Sequence, residues 1–320
     1  MLLSTVLATF LASVPALVQA YPQPGACTGY CFTHDPALYR RPDGKYFRFS
    51  TFRGIEIVTA NNIAGPWTKV GSVLPNGSII NMPGNKELWA PDVAYIQGQY
   101  YLFYPVSTSG SQTSAIGYAT SPNMEPGSWT DQGSILTSAP GQTPYNAIDA
   151  NLVPHANGRD FYLQWGSYWD QIYQAQLSIN GPYVFASGNH KRIAHDPRRS
   201  SMEGPTIFYK KGYYWLFLSL GACCTYTPKP ADEYHVNLCR STSPSGPFVD
   251  KAGKSCQDGG GTNFIHTHDR VYAAGGQGVF TDPTLGDVFY YHYLDPDAVD
   301  YNSAKFGWNV INWSADWPTI

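Results

Sequence analysis

The stretch THDPALYRRPDGKYFRFS, residues 33–50, decides the fold of this chain. It contains Asp35 at the mouth of a short strand, a turn at Pro42-Asp43-Gly44, and an alternating aromatic strand over Tyr46–Ser50. Proline at the second turn position presets φ, and glycine tolerates the positive φ that tight turns need. The stretch therefore predicts a β-hairpin with a carboxylate at its mouth.

Four later parts of the chain repeat this pattern. The lead acids Asp35, Asp92, Asp149 and Glu203 are separated by 57, 57 and 54 residues. Near-constant spacing of four-stranded units predicts an all-β, five-bladed β-propeller, in which the first residues of the innermost strands meet at one end of a central channel. A β-sandwich with chance resemblances between its hairpins is the alternative fold. The predicted units cover residues 35–71, 90–133, 148–182, 203–248 and 270–313, and residues 306–313 form the last strand.

Composition agrees with a β protein whose partner is uncharged. Aromatic residues make up 15% of the chain and charged residues only 13%, with 24 Tyr, 31 Gly and 25 Pro, as strands and tight turns require. No segment combines capping signals with a sustained helical period, which excludes the α/β classes. The formal charge of −3 without a basic block excludes a nucleic-acid partner. Tyr and Trp on a weakly charged surface suit neutral sugars.

The first twenty residues predict export. Residues 1–20 contain an apolar run and end in Val18-Gln19-Ala20, which is typical of a signal-peptide cleavage site. A membrane anchor is the alternative, but the run is short for a bilayer of roughly 30 Å. We expect a secreted, extracellular protein without a membrane partner, whose residues 21–320 form one domain.

Six cysteines in an exported chain are expected to pair, and six allow 15 connectivities. Zinc binding is the alternative, but Cys27-x3-Cys31 has no matching pair at zinc spacing. We expect the adjacent Cys223 and Cys224 to bond outward rather than to each other. Asn76-Gly77-Ser78 and Asn312-Trp313-Ser314 fit the N-glycosylation pattern.

Five motifs in order resemble glycoside hydrolase family 43, and specifically its endo-α-1,5-L-arabinanases, over essentially the whole mature chain. They are His34-Asp35-Pro36, Trp89-Ala90-Pro91-Asp92-Val93, Asn146-Ala147-Ile148-Asp149-Ala150, Glu203-Gly204-Pro205 and Tyr291-His292-Tyr293. The resemblance implies a five-bladed propeller with a cleft across one face. The five blades that the resemblance implies agree with the five repeated units of the sequence.

The resemblance assigns Asp35 as general base and Glu203 as general acid, with Asp149 raising the pKa of the acid by like-charge proximity. The family inverts configuration, so we predict that the carboxyl groups of Asp35 and Glu203 lie roughly 6.5–9.5 Å apart, which leaves room for a water. The alternatives are structural: Asp35 before Pro36 can initiate a turn, and Glu203-Gly204-Pro205 can be a loop. Asp92 shares the spacing but has no role in the family, and we predict that it is structural.

The same resemblance predicts a set of sugar-contacting residues and a metal ligand. The sugar would contact His34, Trp89, Gly117, Asn146, Ala147, Ile148, Ser167, Tyr168 and Trp169. The family commonly holds one hydrated metal ion on the propeller axis, often calcium, with a single histidine ligand, here His292. No organic cofactor is expected. The segment Gly275-Gly276-Gln277-Gly278 departs from many relatives, which carry Gly-His there.

These observations predict a monomeric enzyme that cleaves internal α-1,5 links of arabinan, the side chain of pectin. An exo-acting α-L-arabinofuranosidase or β-xylosidase of the same family is the alternative among enzymes. From another class, a sugar-binding propeller without catalysis is the alternative. The presence of all three acids in register favours the enzyme.

Overall fold

The repeated hairpins form five antiparallel sheets in the computed structural model, which describes residues 21–181, 183–223 and 232–320. The first sheet contains β1 (Ala37–Arg40), β2 (Tyr46–Ser50), β3 (Glu56–Ala60) and β4 (Thr68–Ser72), and the second contains β5 (Asp92–Ile96), β6 (Gln99–Val106), β7 (Ser114–Ser121) and β8 (Thr130–Ser138). The third contains β9 (Asn151–Pro154), β10 (Phe161–Trp165), β11 (Ile172–Asn180) and β12 (Tyr183–Ala186), with β13 (Lys191–Ala194) also paired to β11. The fourth contains β14 (Met202–Lys210), β15 (Tyr213–Leu220), β16 (His235–Ser241) and β17 (Thr262–Ile265), and the fifth contains β18 (Tyr272–Asp282), β19 (Gly286–Leu294) and β20 (Lys305–Val310).

The innermost strands of these sheets form a closed ring. β1 contacts β5, β5 contacts β9, β9 contacts β14, β14 contacts β18, and β18 contacts β1 again. The sheets are therefore the five blades of a β-propeller, which confirms the predicted fold. The hairpin of residues 33–50 has the predicted register, with Ala37 opposite Phe49 and Arg40 opposite Tyr46.

The core consists of apolar layers between neighbouring blades. Phe49 is buried between blades 1 and 2, Trp165 between blades 2 and 3, Leu216 between blades 3 and 4, Phe289 between blades 4 and 5, and Trp67 between blades 5 and 1. Each such side chain contributes about 1.5–3 kcal/mol when it is fully buried. The aromatic-rich strands thus fix the blades relative to one another.

The ring closes through the segment that precedes blade 1. Phe32 forms an antiparallel bridge with Lys305, and the amide N–H of Phe306 donates to the carbonyl oxygen of Cys31 at 2.9 Å. At the other end of this segment, the N–H of Gly25 donates to the carbonyl oxygen of Trp308 at 2.8 Å. Residues 25–32 thus lie along the free edge of β20. The sequence predicted a last strand over residues 306–313, whereas β20 ends at Val310 and its outer neighbour comes from the other end of the chain.

A buried arginine stabilises this closure. Arg48 is fully buried, and its Nη2 donates to the carbonyl oxygens of Tyr30 at 2.7 Å and Phe32 at 3.0 Å. Its guanidinium lies 4.8 Å from the ring centroids of both Trp67 and Phe306. Burial lowers the pKa of Arg48 to about 9.

We expect Arg48→Met to lower the free energy of unfolding by about 3 kcal/mol, because two carbonyl acceptors of the closing segment lose a charged donor. Urea denaturation followed by tryptophan fluorescence measures this change. Arg159→Met, at an exposed turn between β9 and β10, is the control. A loss no larger than that of the control would contradict the role of Arg48.

The cysteine pairing agrees with export. Disulfides join Cys27 to Cys31 and Cys239 to Cys256, so the first pair is not a zinc site. Cys223 is also disulfide-bonded, and because the other four described cysteines pair with one another, the expectation that it bonds to one of them is wrong; Cys224 lies outside the described residues.

The remaining predictions about export concern the ends of the chain and its surface. The predicted signal peptide lies outside the described residues. Asn76 and Asn312 are both exposed, and their glycosylation stays a prediction. Within the described part of the chain, no helix has the length and apolar character that crossing a membrane requires.

Candidate active site

Three of the repeated acids lie at the entrances of inner strands and line one cleft. Asp35 lies two residues before β1, Asp149 lies two residues before β9, and Glu203 is the second residue of β14. The cleft has a volume of about 770 Å³. Residues far apart in sequence are thus brought together by the blade spacing, as predicted.

Two of the acids are presented by a left-handed backbone. The φ of Asp35 is 44° and that of Asp149 is 57°. Aspartate tolerates this region better than most residues because its short polar side chain can bond locally. Close packing surrounds Asp35: a Cβ at Gly276 would lie 2.4 Å from its Oδ1. Only glycine at position 276 allows this approach.

Asp35 is held by donors that favour its charged form. Its Oδ2 lies 2.7 Å from Nδ1 of His34 and accepts a hydrogen bond from Oγ1 of Thr51 at 2.8 Å. Burial raises the pKa of Asp35, but the charge of His34, together with the side-chain contacts to His292 and His34, outweighs burial and holds the pKa well below its ordinary range. Asp35 is therefore ionised at neutral pH.

The pKa values of Glu203 and Asp149 are raised, whereas that of Asp35 is lowered. Oε2 of Glu203 accepts from Oγ of Ser167 at 2.6 Å and Oε1 accepts from the hydroxyl of Tyr234 at 2.8 Å. Burial raises the pKa of Glu203 despite these donors, and the charge of Asp35 raises it further.

Asp149 is coupled to Glu203. Burial raises the pKa of Asp149 well above its ordinary value, and the charge of Glu203 adds to this. Its Oδ2 accepts from the amide N–H of Gly204 at 3.2 Å. Coulomb repulsion is mutual, so the two carboxyl groups titrate as a pair that holds one proton where an exposed carboxyl would be ionised.

Asp92, the remaining acid of the repeat, has a different environment. Its Oδ2 accepts from the amide N–H of Leu152 at 2.8 Å and so links blade 2 to blade 3. It lines a small cavity of about 40 Å³ that Asp35 and Asp149 also line, rather than the cleft, and burial raises its pKa to about 7. This inter-blade contact agrees with the structural role predicted for it.

Most of the predicted sugar-contacting residues line the cleft. They are His34, Trp89, Asn146, Ile148, Ser167, Tyr168 and Trp169. Tyr168 and Trp169 are 37% and 43% exposed, and both have a positive φ, of 53° and 44°. Strained backbone that presents exposed aromatic rings is typical of a binding loop.

Gly117 and Ala147 are not brought to the cleft with the others. Gly117 lies buried in β7, where a Cβ would approach Cδ1 of Ile80 to 2.7 Å and the hydroxyl oxygen of Tyr104 to 2.8 Å. Its missing side chain is explained by packing within blade 2. Ala147 is fully buried among the residues between blades 2 and 3. The geometry gives neither residue a contact surface for a sugar.

Sequence reasoning missed several residues of the cleft. Tyr301 lines the cleft, with its ring centroid 4.3 Å from that of His34, whereas Tyr234 lines the small cavity beside the cleft and donates to Glu203. Thr51, the loop of residues 108–111, and Cys223 also line the cleft. Tyr234 opens a predicted strand and Tyr301 lies between two of them, positions at which no motif distinguishes them from structural tyrosines.

The hydrated calcium ion predicted at His292 stays a prediction. Nδ1 of His292 accepts from the amide N–H of Asp35 at 3.1 Å and lies 3.4 Å from Oδ1 of the same residue. Nε2 lies 3.7 Å from Sγ of Cys223, as does Nε2 of His34. A calcium ion at this histidine would take its remaining ligands from water, because calcium prefers oxygen donors. Metal analysis of the purified protein would test the calcium prediction.

Comparisons with known proteins agree with this site and fold. The pattern described as "Glycosyl hydrolases family 43" matches residues 29–318. Arabinan endo-1,5-alpha-L-arabinosidase A of Aspergillus niger is 50% identical over 97% of this chain and 98% of its own. Among solved structures, a GH43 endo-arabinanase from Bacillus licheniformis has a TM-score of 0.80 and 31% identity, covering 92% of this chain and 99% of its own. An exo-1,5-alpha-L-arabinanase from a bovine ruminal metagenomic library also has a TM-score of 0.80, with 30% identity over 90% of this chain and 96% of its own. The chain belongs to glycosyl hydrolase family 43.

Proposed function

We propose that this protein hydrolyses internal α-1,5-L-arabinofuranosidic links of arabinan with inversion of configuration. The observation that carries the proposal is the opposite charge state of carboxyl groups across one cleft: Asp35 is held ionised, while the Asp149–Glu203 pair retains a proton. An inverting glycosidase needs one carboxylate and one carboxylic acid in these states. The name of the Aspergillus niger relative supports arabinan as substrate and endo action.

In the proposed reaction, Asp35 removes a proton from a water as its oxygen bonds to the anomeric carbon. Glu203 donates its proton to the glycosidic oxygen as the bond from that oxygen to the anomeric carbon breaks. The products are a β-configured reducing end and a free 5-hydroxyl; Asp35 then releases its proton to solvent, and Glu203 recovers one from solvent. Asp149 keeps the proton on the pair by mutual repulsion.

The cleft walls would orient the chain of furanose rings. Trp89, Trp169 and Tyr301 offer apolar ring faces beside the acids. Asn146 and Ser167 offer polar groups, although the carboxamide oxygen of Asn146 already accepts from Oγ of Ser114 at 2.7 Å. A crystal complex with an arabino-oligosaccharide would measure the separation of Asp35 and Glu203, which we predict at roughly 6.5–9.5 Å.

We also propose that the protein acts outside the cell. The predicted signal peptide and the two disulfides fit an oxidising compartment. Mass spectrometry of protein recovered from a culture medium would test this, and we expect a mature N-terminus at Tyr21.

Product analysis tests the endo activity. We expect linear arabinan to yield oligosaccharides of mixed length at the earliest times, and proton NMR to show the β-anomer before mutarotation. Arabinose alone from the start would indicate the exo alternative, and the α-anomer first would exclude inversion. Binding of arabinan without any product would favour the sugar-binding alternative.

Tyr234→Phe should move the alkaline limb of kcat/KM to higher pH. The Tyr234 hydroxyl donates to Glu203 and stabilises its ionised form, so its removal raises the pKa of Glu203 and extends the pH range in which the acid is protonated. We expect kcat at the optimum to fall by about tenfold or less, since Ser167 still donates. Tyr209→Phe, at a partly exposed site that does not line the cleft, is the control. An alkaline limb at unchanged or lower pH would contradict the assignment.

A further inference from the structure

The segment Gly275–Gly278 is irregular in a way that brings one side chain to the acid. It belongs to β18, whose register with β19 shifts on both sides of Gly275. Gln277, the residue at which this chain departs from the Gly-His pattern, points toward blade 4 and is only 6% exposed. Its contacts concentrate on the part of blade 4 that carries Glu203.

The side-chain amide of Gln277 uses both of its ends. Nε2 donates to the carbonyl oxygen of Gly204 at 2.7 Å, and Oε1 accepts from Oγ of Ser219 at 2.7 Å. The backbone carbonyl oxygen of Gln277 accepts from Oγ1 of Thr206 at 2.8 Å. Blade 5 thus makes three hydrogen bonds to blade 4 through one residue.

All three partners of Gln277 surround the bulge that presents Glu203. Gly204 follows Glu203 and has a φ of +57°, and Thr206 lies where the β14–β15 register shifts. Ser219 is the residue directly opposite Glu203 on β15. The bulge has lost regular ladder pairing between Glu203 and Thr206, and the contacts with Gln277 provide bonds in its place.

An amide is the group that suits this position. A carboxylate cannot donate to the carbonyl oxygen of Gly204, and an apolar side chain would leave both partners without their bond. The hydroxyl of Ser219 acts as both donor and acceptor: its Oγ donates to Gln277 and accepts from the amide N–H of Gly276 at 3.1 Å.

We propose that Gln277 is a positioning residue for the general acid: by holding the β14 bulge from blade 5, it keeps the carboxyl group of Glu203 between Ser167 and Tyr234, in line with the glycosidic oxygen. The inference rests on the proposed function and adds a residue to it. A misplacement of about 1 Å in such a group can cost about 100-fold in rate.

The test compares Gln277→Met and Gln277→Glu with a matched control. Gln174, 2% exposed in β11, also donates to a backbone carbonyl, that of Pro244 at 2.8 Å, and accepts from a serine, Oγ of Ser245 at 2.6 Å. It too links neighbouring blades, but it does not line the cleft. Gln174→Met therefore reproduces the loss of stability without the contact to the acid-bearing bulge.

Each variant is assayed on linear arabinan and on a 2,4-dinitrophenyl arabinotrioside, whose leaving group needs no protonation. We expect both Gln277 variants to lose about 10- to 100-fold in kcat on arabinan with little change in KM. We expect a much smaller loss on the dinitrophenyl substrate, because Gln277 acts through the acid. Gln174→Met should lower the melting temperature and leave kcat on both substrates unchanged.

Three outcomes would overturn the inference. They are parental kcat on arabinan in both Gln277 variants, an equal loss on the two substrates, and a loss of kcat in Gln174→Met as large as that in Gln277→Met. If Gln277→Met does not fold, the nearly isosteric Gln277→Glu gives the answer. Failure of the parent protein to cleave arabinan would instead refute the proposed function, so the two failures are distinguishable.

Discussion

Glu203→Gln is expected to lower kcat on linear arabinan about 1000-fold, within the usual contribution of a general acid. Glutamine keeps the shape of the side chain and its acceptor for Ser167 or Tyr234, but it has no proton to give to the leaving oxygen. On a 2,4-dinitrophenyl arabinotrioside the loss should be about tenfold or less, because that leaving group departs without protonation. Initial rates on the two substrates measure the contrast.

The pH profile adds a second measurement for the same variant. The pKa of Glu203 is raised by burial, so activity of the parent falls as pH rises through that pKa and the acid ionises. On linear arabinan, the residual activity of Glu203→Gln should lose this alkaline limb and keep the acid limb. Glu125→Gln, in an ion pair with Arg41 that does not line the cleft, should leave both limbs in place. Equal losses on both substrates would remove Glu203 from the role of acid.

Asp35→Asn is expected to lower kcat by about 10³- to 10⁴-fold on both substrates, because activation of the water is needed whatever the leaving group. Asparagine keeps an acceptor for Thr51 and the space beside Gly276 but cannot take a proton. The parent should lose activity only in strong acid, since the pKa of Asp35 is held low and activity falls as pH drops through it.

Asp43→Asn is a control within the same hairpin. Asp43 lies at the turn, pairs with Arg41, and does not line the cleft. This variant should retain parental activity. If Asp35→Asn kept more than about a tenth of parental activity on the dinitrophenyl substrate, Asp35 would not be the base.

The acids could be predicted from sequence because their positions follow from the repeat. Asp35, Asp149 and Glu203 enter equivalent inner strands, so their spacing along the chain determines that they meet. Asp92 shows the limit of this reasoning: it has the same spacing, yet its carboxylate bonds the neighbouring blade. Spacing places a residue at the channel, but the partners of its side chain decide whether it faces the cleft.

Contacts between blades could not be predicted from sequence. Nothing in the local pattern around Gln277, Tyr234 or Tyr301 indicates which residue of another blade each one meets, because those partners lie many residues away. Gly117 was predicted to contact the sugar but does not line the cleft. A glycine in a strand can make room for a ligand or for a neighbouring side chain, and here Tyr104 fills the space. The neighbours of a histidine ring cannot be predicted from the sequence either: nothing near His292 in the chain indicates that its Nε2 lies 3.7 Å from Sγ of Cys223.

The closure of the ring has a consequence for biosynthesis. Residues 25–32 are translated before all five blades, whereas their partner β20 is translated after blades 1 to 4. Blades 1 to 4 can form their sheets in sequence during translation, but the early segment has no edge to join until Lys305 has been made. A chain that stops before that point would contain Asp35, Asp149 and Glu203, but the ring of blades that holds them together would not be closed. Premature termination should therefore give a product that is both inactive and sensitive to protease, even though every acid of the site has been translated.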